Sequence, residues 1–248
     1  MYRLVEMYLD KTANGRPGQK IAPKGLVVHW TANTGESADA DNNRNYFNYS
    51  GVSASAHYIV DEEKVVQCLP EEEMAYHVGA KRYSEKAIRE LSWYPNNCTI
   101  GVEICVNKGA DFALTMKNAV SLCAEICSRH KWTAERLWRH YDVTGKDCPR
   151  FFVDDVVAIR YGFASAQEGW NRFKADVDEA ISRGTKEQSN EAGEKSSKAA
   201  EWKLDIVREA KAIGLIRDEH HPDEPAPKWF VLQVAINAMK EQDQQKDE

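Results

Sequence analysis

Trp138-Arg139-His140-Tyr141-Asp142-Val143-Thr144-Gly145-Lys146-Asp147-Cys148-Pro149 is the stretch on which the reading of this chain turns. It sets an imidazole and a thiol eight positions apart, with a lysine two residues before the thiol. Gly145 and Pro149 mark the connection as a loop rather than a continuous helix. A loop of that length can turn back and aim both side chains at one point. With one more donor from elsewhere it can hold a zinc ion and leave a position open for water. Taken alone, His140 and Cys148 read more simply as packing residues, so the rest of the chain has to supply a third ligand, a base and a cleft.

The third ligand is sought first among the strands. Leu26-Val27-Val28-His29-Trp30 is a short β-branched and aromatic run, readable as a buried strand. His29 stands at its C-terminal end, where α/β sheets usually place their working groups. In isolation it reads first as a packed strand-end histidine. Ser53 to Asp61 (SASAHYIVD) reads as a second strand with His57 inside it, and Val65–Pro70 as its hairpin partner across a polar turn at Asp61–Lys64. Cys98 to Val106 is the most informative strand. Strict alternation puts Ile100, Val102, Ile104 and Val106 on one face and Gly101, Glu103 and Cys105 on the other. A glutamate inside so apolar a strand is costly to bury unpartnered. It belongs either to the exposed face of an edge strand or to a carboxylate aimed into a cleft.

Helices are expected over residues 38–49, over Phe112–His130, where Ala119, Val120, Leu122, Cys123, Ile126 and Cys127 recur at three- and four-residue spacing, and over 165–182. Residues 80–97 have the mixed charges and turn residues of a surface insertion. Ser182 to Ala199 is nearly free of apolar residues and reads as a flexible linker. The expected organisation is therefore a catalytic domain over 1–181, a linker over 182–199 and a small helical module over 200–248, with its second helix at Trp229–Met239.

At 248 residues, 42% hydrophobic and 29% charged, the chain has the length and composition of a globular protein with a full core. The net charge of −6, without a basic stripe, gives no reason to expect a nucleic-acid partner. Six cysteines are too few for a disulfide scaffold at this length and are expected as free thiols. Met1–Lys11 carries Arg3, Glu6, Asp10 and Lys11 and lacks the apolar core of a secretory signal. No run approaches the ~18–20 apolar residues of a membrane span, so no membrane insertion is expected.

Assembled, His29, His140 and Cys148 make a His₂Cys set that meets the three-ligand rule for a catalytic zinc. Thiolate and imidazole favour zinc over magnesium or calcium. Glu103 can take a proton from an attacking water, and Lys146 can stabilise the oxygen that becomes negative at an attacked carbonyl. Such a set suits hydrolysis of an amide.

Five stretches carry a family resemblance: LVVHWTAN (26–33), SASAHYIVD (53–61), AYHVG (75–79), IGVEICVN (100–107) and RHYDVTGKDCP (139–149). Together, over roughly residues 20–155, they resemble the type 2 N-acetylmuramoyl-L-alanine amidases, whose fold also appears in peptidoglycan recognition proteins. The resemblance implies an α/β fold, a central mixed β-sheet flanked by helices, with the small helical C-terminal module appended. It implies Zn²⁺ on His29, His140 and Cys148, Glu103 and Lys146 as the catalytic pair, and His77, Tyr58, His57 and Asn33 as substrate contacts. At Tyr76 the chain departs from the family's usual tryptophan. The implied substrate is bacterial peptidoglycan, cut between N-acetylmuramic acid and L-alanine. The implied setting is a phage or prophage endolysin made in the cytoplasm, which reaches the wall through a holin pore or on host lysis. The C-terminal module is expected to bind the cell wall or to dimerise. Two rivals remain: a non-catalytic peptidoglycan-binding module of the same fold, and a cysteine hydrolase using Cys105 with His77.

Overall fold

The computed structural model describes residues 2–214, the backbone alone over 186–202, and positions 231, 235 and 236. Alternation in the strand read around Glu103 sets the layout. β5 (Thr99–Ile104) lies inside a six-stranded sheet with β1 (Arg3–Glu6), β2 (Gly25–Trp30), β3 (Tyr58–Val60), β4 (Lys64–Gln67) and β6 (Leu137–Arg139), in the order β1-β4-β3-β5-β2-β6. All neighbours are parallel except the β3–β4 hairpin, so the sheet is mixed, as expected. The hairpin turn is built by Asp61, whose Oδ1 accepts from the amides of Glu63 (2.9 Å) and Lys64 (2.8 Å). Its Oδ2 accepts from Ala40 at 3.0 Å and ties the turn to the start of α1 (Ala40–Asn48).

One face of the sheet, with Leu26, Val28, Tyr58, Val60, Ile100, Val102 and Ile104, packs against α3 (Phe112–His130) through Ala119, Leu122, Cys123, Ile126 and Cys127. Asp111 caps α3 by accepting from the Leu114 amide at 3.0 Å. The opposite face carries two smaller apolar clusters, one with Ile59, Val66 and Cys105, the other with Val27, Val78, Leu91, Trp138 and Val143. Glu103 and His29 stand between them on neighbouring strands. All six cysteines are free and buried.

The structure departs from the sequence reading at four places. The strand read over 53–61 shortens to β3, because Ser55 and His57 spend their amides on Tyr76 O (3.1 Å) and Gly101 O (3.0 Å) outside the ladder. The N-terminal strand β1 was not anticipated; it is a short, mostly exposed edge. The 80–97 stretch is not a loose surface insertion. It contains α2 (Glu85–Glu90), and Ala87 and Leu91 are buried beside Val27 and Trp138. Finally, residues 182–199 lie within one long helix, α6 (Ala166–Ala212). Their sequence is richest in Ser, Glu and Lys, carries Gly184 and Gly193, and is free of proline, so nothing in it forbids a helix outright. Poverty in apolar residues there did not preclude a helix. The chain divides into two units, Met1–Arg183 and Gly184–Glu248. The helix expected at 229–239 falls largely outside the described residues. Among the described residues no helix is long and apolar enough to cross a membrane.

Candidate metal centre

The loop read first from sequence does turn back on itself. β6 runs directly into α4 (His140–Thr144), so His140 opens that helix. Arg139 and Asp142 lock the junction: Asp142 accepts from the Arg139 amide (2.9 Å) and guanidinium (2.7 Å), and the guanidinium also donates to Phe152 O at 2.8 Å. Gly145, at φ +81°, ends α4 in a left-handed conformation that other residues adopt at a cost. The Tyr141 amide then donates to Cys148 O at 2.9 Å and closes the loop. Just beyond Cys148, Phe151 and Phe152 are fully buried against Trp30, Trp170 and Phe173, which anchors the returning strand of the loop.

This brings His140 and Cys148 to His29. His29 Nδ1 lies 3.0 Å from His140 Nδ1 and 3.7 Å from Cys148 Sγ. The three donor atoms all fall within 4.8 Å of one another, and the residues are 2%, 4% and 3% exposed. Two nitrogens each 2.0–2.1 Å from a tetrahedral zinc sit about 3.3 Å apart, so this spacing fits the ion. The electrostatics agree. Burial lowers the basicity of His29 well below the ordinary histidine value and that of His140 to about 4, with Lys146 adding to both effects. Neutral imidazoles are the form that binds a metal. Burial, with the Glu103 charge, pushes the Cys148 thiol up to about 12, so a cation is needed to hold the thiolate.

Glu103 is paired in register with His29 on β2 and with Ile59 on β3, so its carboxyl shares their face of the sheet. Its Oε2 is enclosed without a hydrogen-bond partner. Burial raises its carboxyl to about 8, against a downward pull from Lys146. Lys146 is exposed and lines a groove of about 820 Å³ together with Tyr76, His77, Tyr94, Asn96 and His140. A hollow of about 880 Å³ between α3 and α6 contains none of these groups.

The expected substrate contacts fare differently. His77 edges the groove, but both its ring nitrogens are engaged inside the protein, Nδ1 with His29 Nε2 at 3.0 Å and Nε2 with Thr99 Oγ1 at 3.1 Å. His57 is fully buried, its Nε2–H donating to Glu73 O (2.8 Å) and its Nδ1 accepting from the Gly101 amide (2.9 Å), so it has no nitrogen left for a ligand. Tyr58 points to the α3 face and donates to Glu71 Oε1 at 2.7 Å, on the wrong side of the sheet. Asn33 is exposed in the loop after β2, accepts from the Gly35 amide at 3.1 Å, and does not line the groove. The Cys105–His77 pair is not assembled either. Cys105 is buried in the cluster around Ile59, burial pushes its thiol far up, and its sulfur accepts from Asn43 Nδ2 at 3.7 Å.

Three supporting residues were not anticipated. Asn96, buried in the 80–97 segment, accepts from the amides of His77 (3.2 Å) and Val78 (2.9 Å). Thr99 braces the far side of the His77 ring. Gly101 makes room for that ring: a Cβ there would stand 2.7 Å from His77 Cγ. Only Gly101 had a signal, since a glycine inside a strand marks close approach of another group.

Residues 18–151 match the family model of the N-acetylmuramoyl-L-alanine amidases. A probable N-acetylmuramoyl-L-alanine amidase of Bacillus licheniformis is 39% identical over 63% of this chain and 45% of its own. The amidase CwlL of the same organism is 33% identical over 80% of this chain and 53% of its own. The chain thus spans about half the length of these curated relatives. Among solved structures, the catalytic domain of XlyA superposes with a TM-score of 0.57 at 28% identity, covering 71% of this chain and 99% of that domain.

Proposed function

Because this chain belongs to the N-acetylmuramoyl-L-alanine amidase family, we propose that it hydrolyses the amide between the lactyl group of N-acetylmuramic acid and the first L-alanine of peptidoglycan, with zinc held by His29, His140 and Cys148. One observation carries this reading. Three donor atoms of zinc-ligand chemistry converge on the same sheet face as a carboxylate oxygen that is enclosed and unpartnered. All four residues lie inside the matched segment.

A zinc ion so held supplies a Lewis acid for the scissile carbonyl and lowers the pKa of a water toward ~7. Glu103 in its ionised form accepts a proton from the attacking water and passes it to the leaving alanine nitrogen. Burial raises the carboxyl to about 8 in the metal-free chain, and the charge of Lys146, with that of a bound cation, would pull it back toward ionisation. Lys146, exposed on the groove, presents an ammonium to the carbonyl oxygen as it gains negative charge. The sheet fixes the spacing of His29 and Glu103 through their direct strand pairing, so neither depends on a mobile loop for its place.

The same reading makes the protein a wall-lytic enzyme of phage or prophage origin, reaching peptidoglycan through a holin pore or on host lysis. Residues 200–248 then serve as a small module that holds the wall or pairs two copies. The test is digestion of purified walls followed by analysis of the released ends. New N-terminal alanine, in step with about one zinc per chain, is expected. New reducing sugar ends, or internal peptide cuts alone, would refute it.

A further inference from the structure

A directed hydrogen-bond chain runs from the core to the candidate ligand His29. Its direction is set at the far end. Pro95 O can only accept, so the Thr99 hydroxyl, 2.7 Å away, spends its proton there. Thr99 Oγ1 (3.1 Å) and Thr99 O (3.3 Å) are therefore both acceptors facing His77 Nε2, which must carry a hydrogen. An imidazole that gives Nδ1 to a metal carries its hydrogen on Nε2, so the nitrogen facing His29 Nε2, His77 Nδ1, supplies the lone pair. That lone pair lies 3.0 Å from His29 Nε2 and takes the hydrogen of His29. His29 is left with its free lone pair on Nδ1, the atom that faces His140 and Cys148.

We propose that His77 is a positioning residue: with Thr99 behind it, it fixes the tautomer and ring orientation in which His29 presents Nδ1 to the metal. This rests on the zinc reading above and assigns His77 to the metal rather than to the substrate. The surroundings are built for that ring. The amides of His77 and Val78 are held by Asn96 Oδ1, and Gly101 supplies the space a side chain would fill. Histidine ligands whose second nitrogen is anchored in this way typically lose about 10–100-fold in metal affinity when the anchor is removed.

The experiment is equilibrium zinc competition against a chromophoric chelator, using the full chain. His77→Leu is expected to weaken zinc by about 10–100-fold. Thr99→Val, which leaves the backbone carbonyl in place, is expected to weaken it less. His77→Asn returns an acceptor near the Nδ1 position and recovers much of the loss, which separates lost hydrogen bonding from lost packing if His77→Leu folds poorly. Nitrogen-15 NMR of the chelated wild type should find the His29 hydrogen on Nε2. If wild type takes up no zinc, the underlying metal reading fails. If wild type binds zinc and His77→Leu and His77→Asn bind it equally well while KM for wall fragments rises, His77 contacts substrate and the inference is overturned. A His29 hydrogen found on Nδ1 overturns it as well.

Discussion

Replacing Glu103 with glutamine should stabilise the metal-stripped protein, by an amount that depends on pH. The enclosed carboxyl is raised from its ordinary 4.5 to about 8 because burial penalises its charged form and Oε2 has no partner. Between those two values the folded chain holds a proton that the unfolded chain has released. Stability is therefore undiminished below pH 4.5 and is lost as pH rises toward 8. At about 1.4 kcal/mol for each pH unit inside that window, the loss reaches roughly 3 kcal/mol at pH 7 and levels off near 5 kcal/mol above pH 8, as ceilings. Glutamine keeps the shape and does not ionise. Glu103→Gln should match wild type near pH 4.5 and exceed it by up to about 3 kcal/mol at pH 7, a Tm rise of roughly 6–12 °C for a domain of this size. Urea unfolding of both proteins in chelator at pH 4.5, 6, 7 and 8.5 reads this directly. Removing the charge of Lys146 by Lys146→Ala should move the midpoint of the wild-type curve upward, since that ammonium lowers the Glu103 value. A stability difference that stays flat across pH would refute the reasoning, because a packing change has no reason to follow the titration of one carboxyl. With zinc restored, Glu103→Gln should still bind the ion and lose most of its turnover.

Other outcomes follow from the same geometry. Gly101→Ala would bring a methyl to 2.7 Å from His77 Cγ, and overpacking of this kind costs about 1–3 kcal/mol; a thermal melt and zinc affinity both at wild-type values would show that the His77 seat is not tight. Cys148→Ser removes the soft donor and should lose zinc by metal analysis, whereas about one zinc per chain retained would remove Cys148 from the ligand set. Because the Cys148 thiol sits near 12 without a cation, zinc uptake must release its proton, so affinity should fall as pH is lowered and a pH-independent constant would contradict this. A chain ending at residue 199 should pellet less with walls or halve in molar mass by light scattering, and no change in either would leave 200–248 without the role proposed for it.

What the sequence disclosed, and what it hid, divides along a physical line. The alternation of Ile100, Val102 and Ile104 against Gly101, Glu103 and Cys105 was legible because a strand's two faces have period 2, and each face meets a different layer. The convergence of His29, His140 and Cys148 was legible because residue types of ligand chemistry stood at a strand end and in a loop punctuated by glycine and proline. Composition misled at 182–199, where it reports whether a segment can bury itself but not whether its backbone coils. The pattern also misplaced Tyr58 and His57. Period 2 was read correctly over Tyr58–Val60, but nothing local says which face looks at the metal, and that is settled by the partner strand: Tyr58 pairs with Val102 and Ile59 with Glu103. The support of His77 was the least legible part. It is assembled from Pro95, Asn96, Thr99 and Gly101, four residues within one short span: Thr99 and Gly101 meet a ring some twenty positions away, Asn96 holds that residue's backbone amide, and Pro95 orients the Thr99 hydroxyl. Contacts of that kind carry no periodicity and little compositional weight. They exist because a buried imidazole must place both nitrogens, and that demand appears only once the fold has brought the ring against the sheet. Residues beside a ligand are thus fixed by satisfaction of the ligand's other atoms, while ligands are fixed by their own chemistry. For this reason His77, and behind it Asn96 and Thr99, are the positions where substitution should test the metal site without touching a ligand.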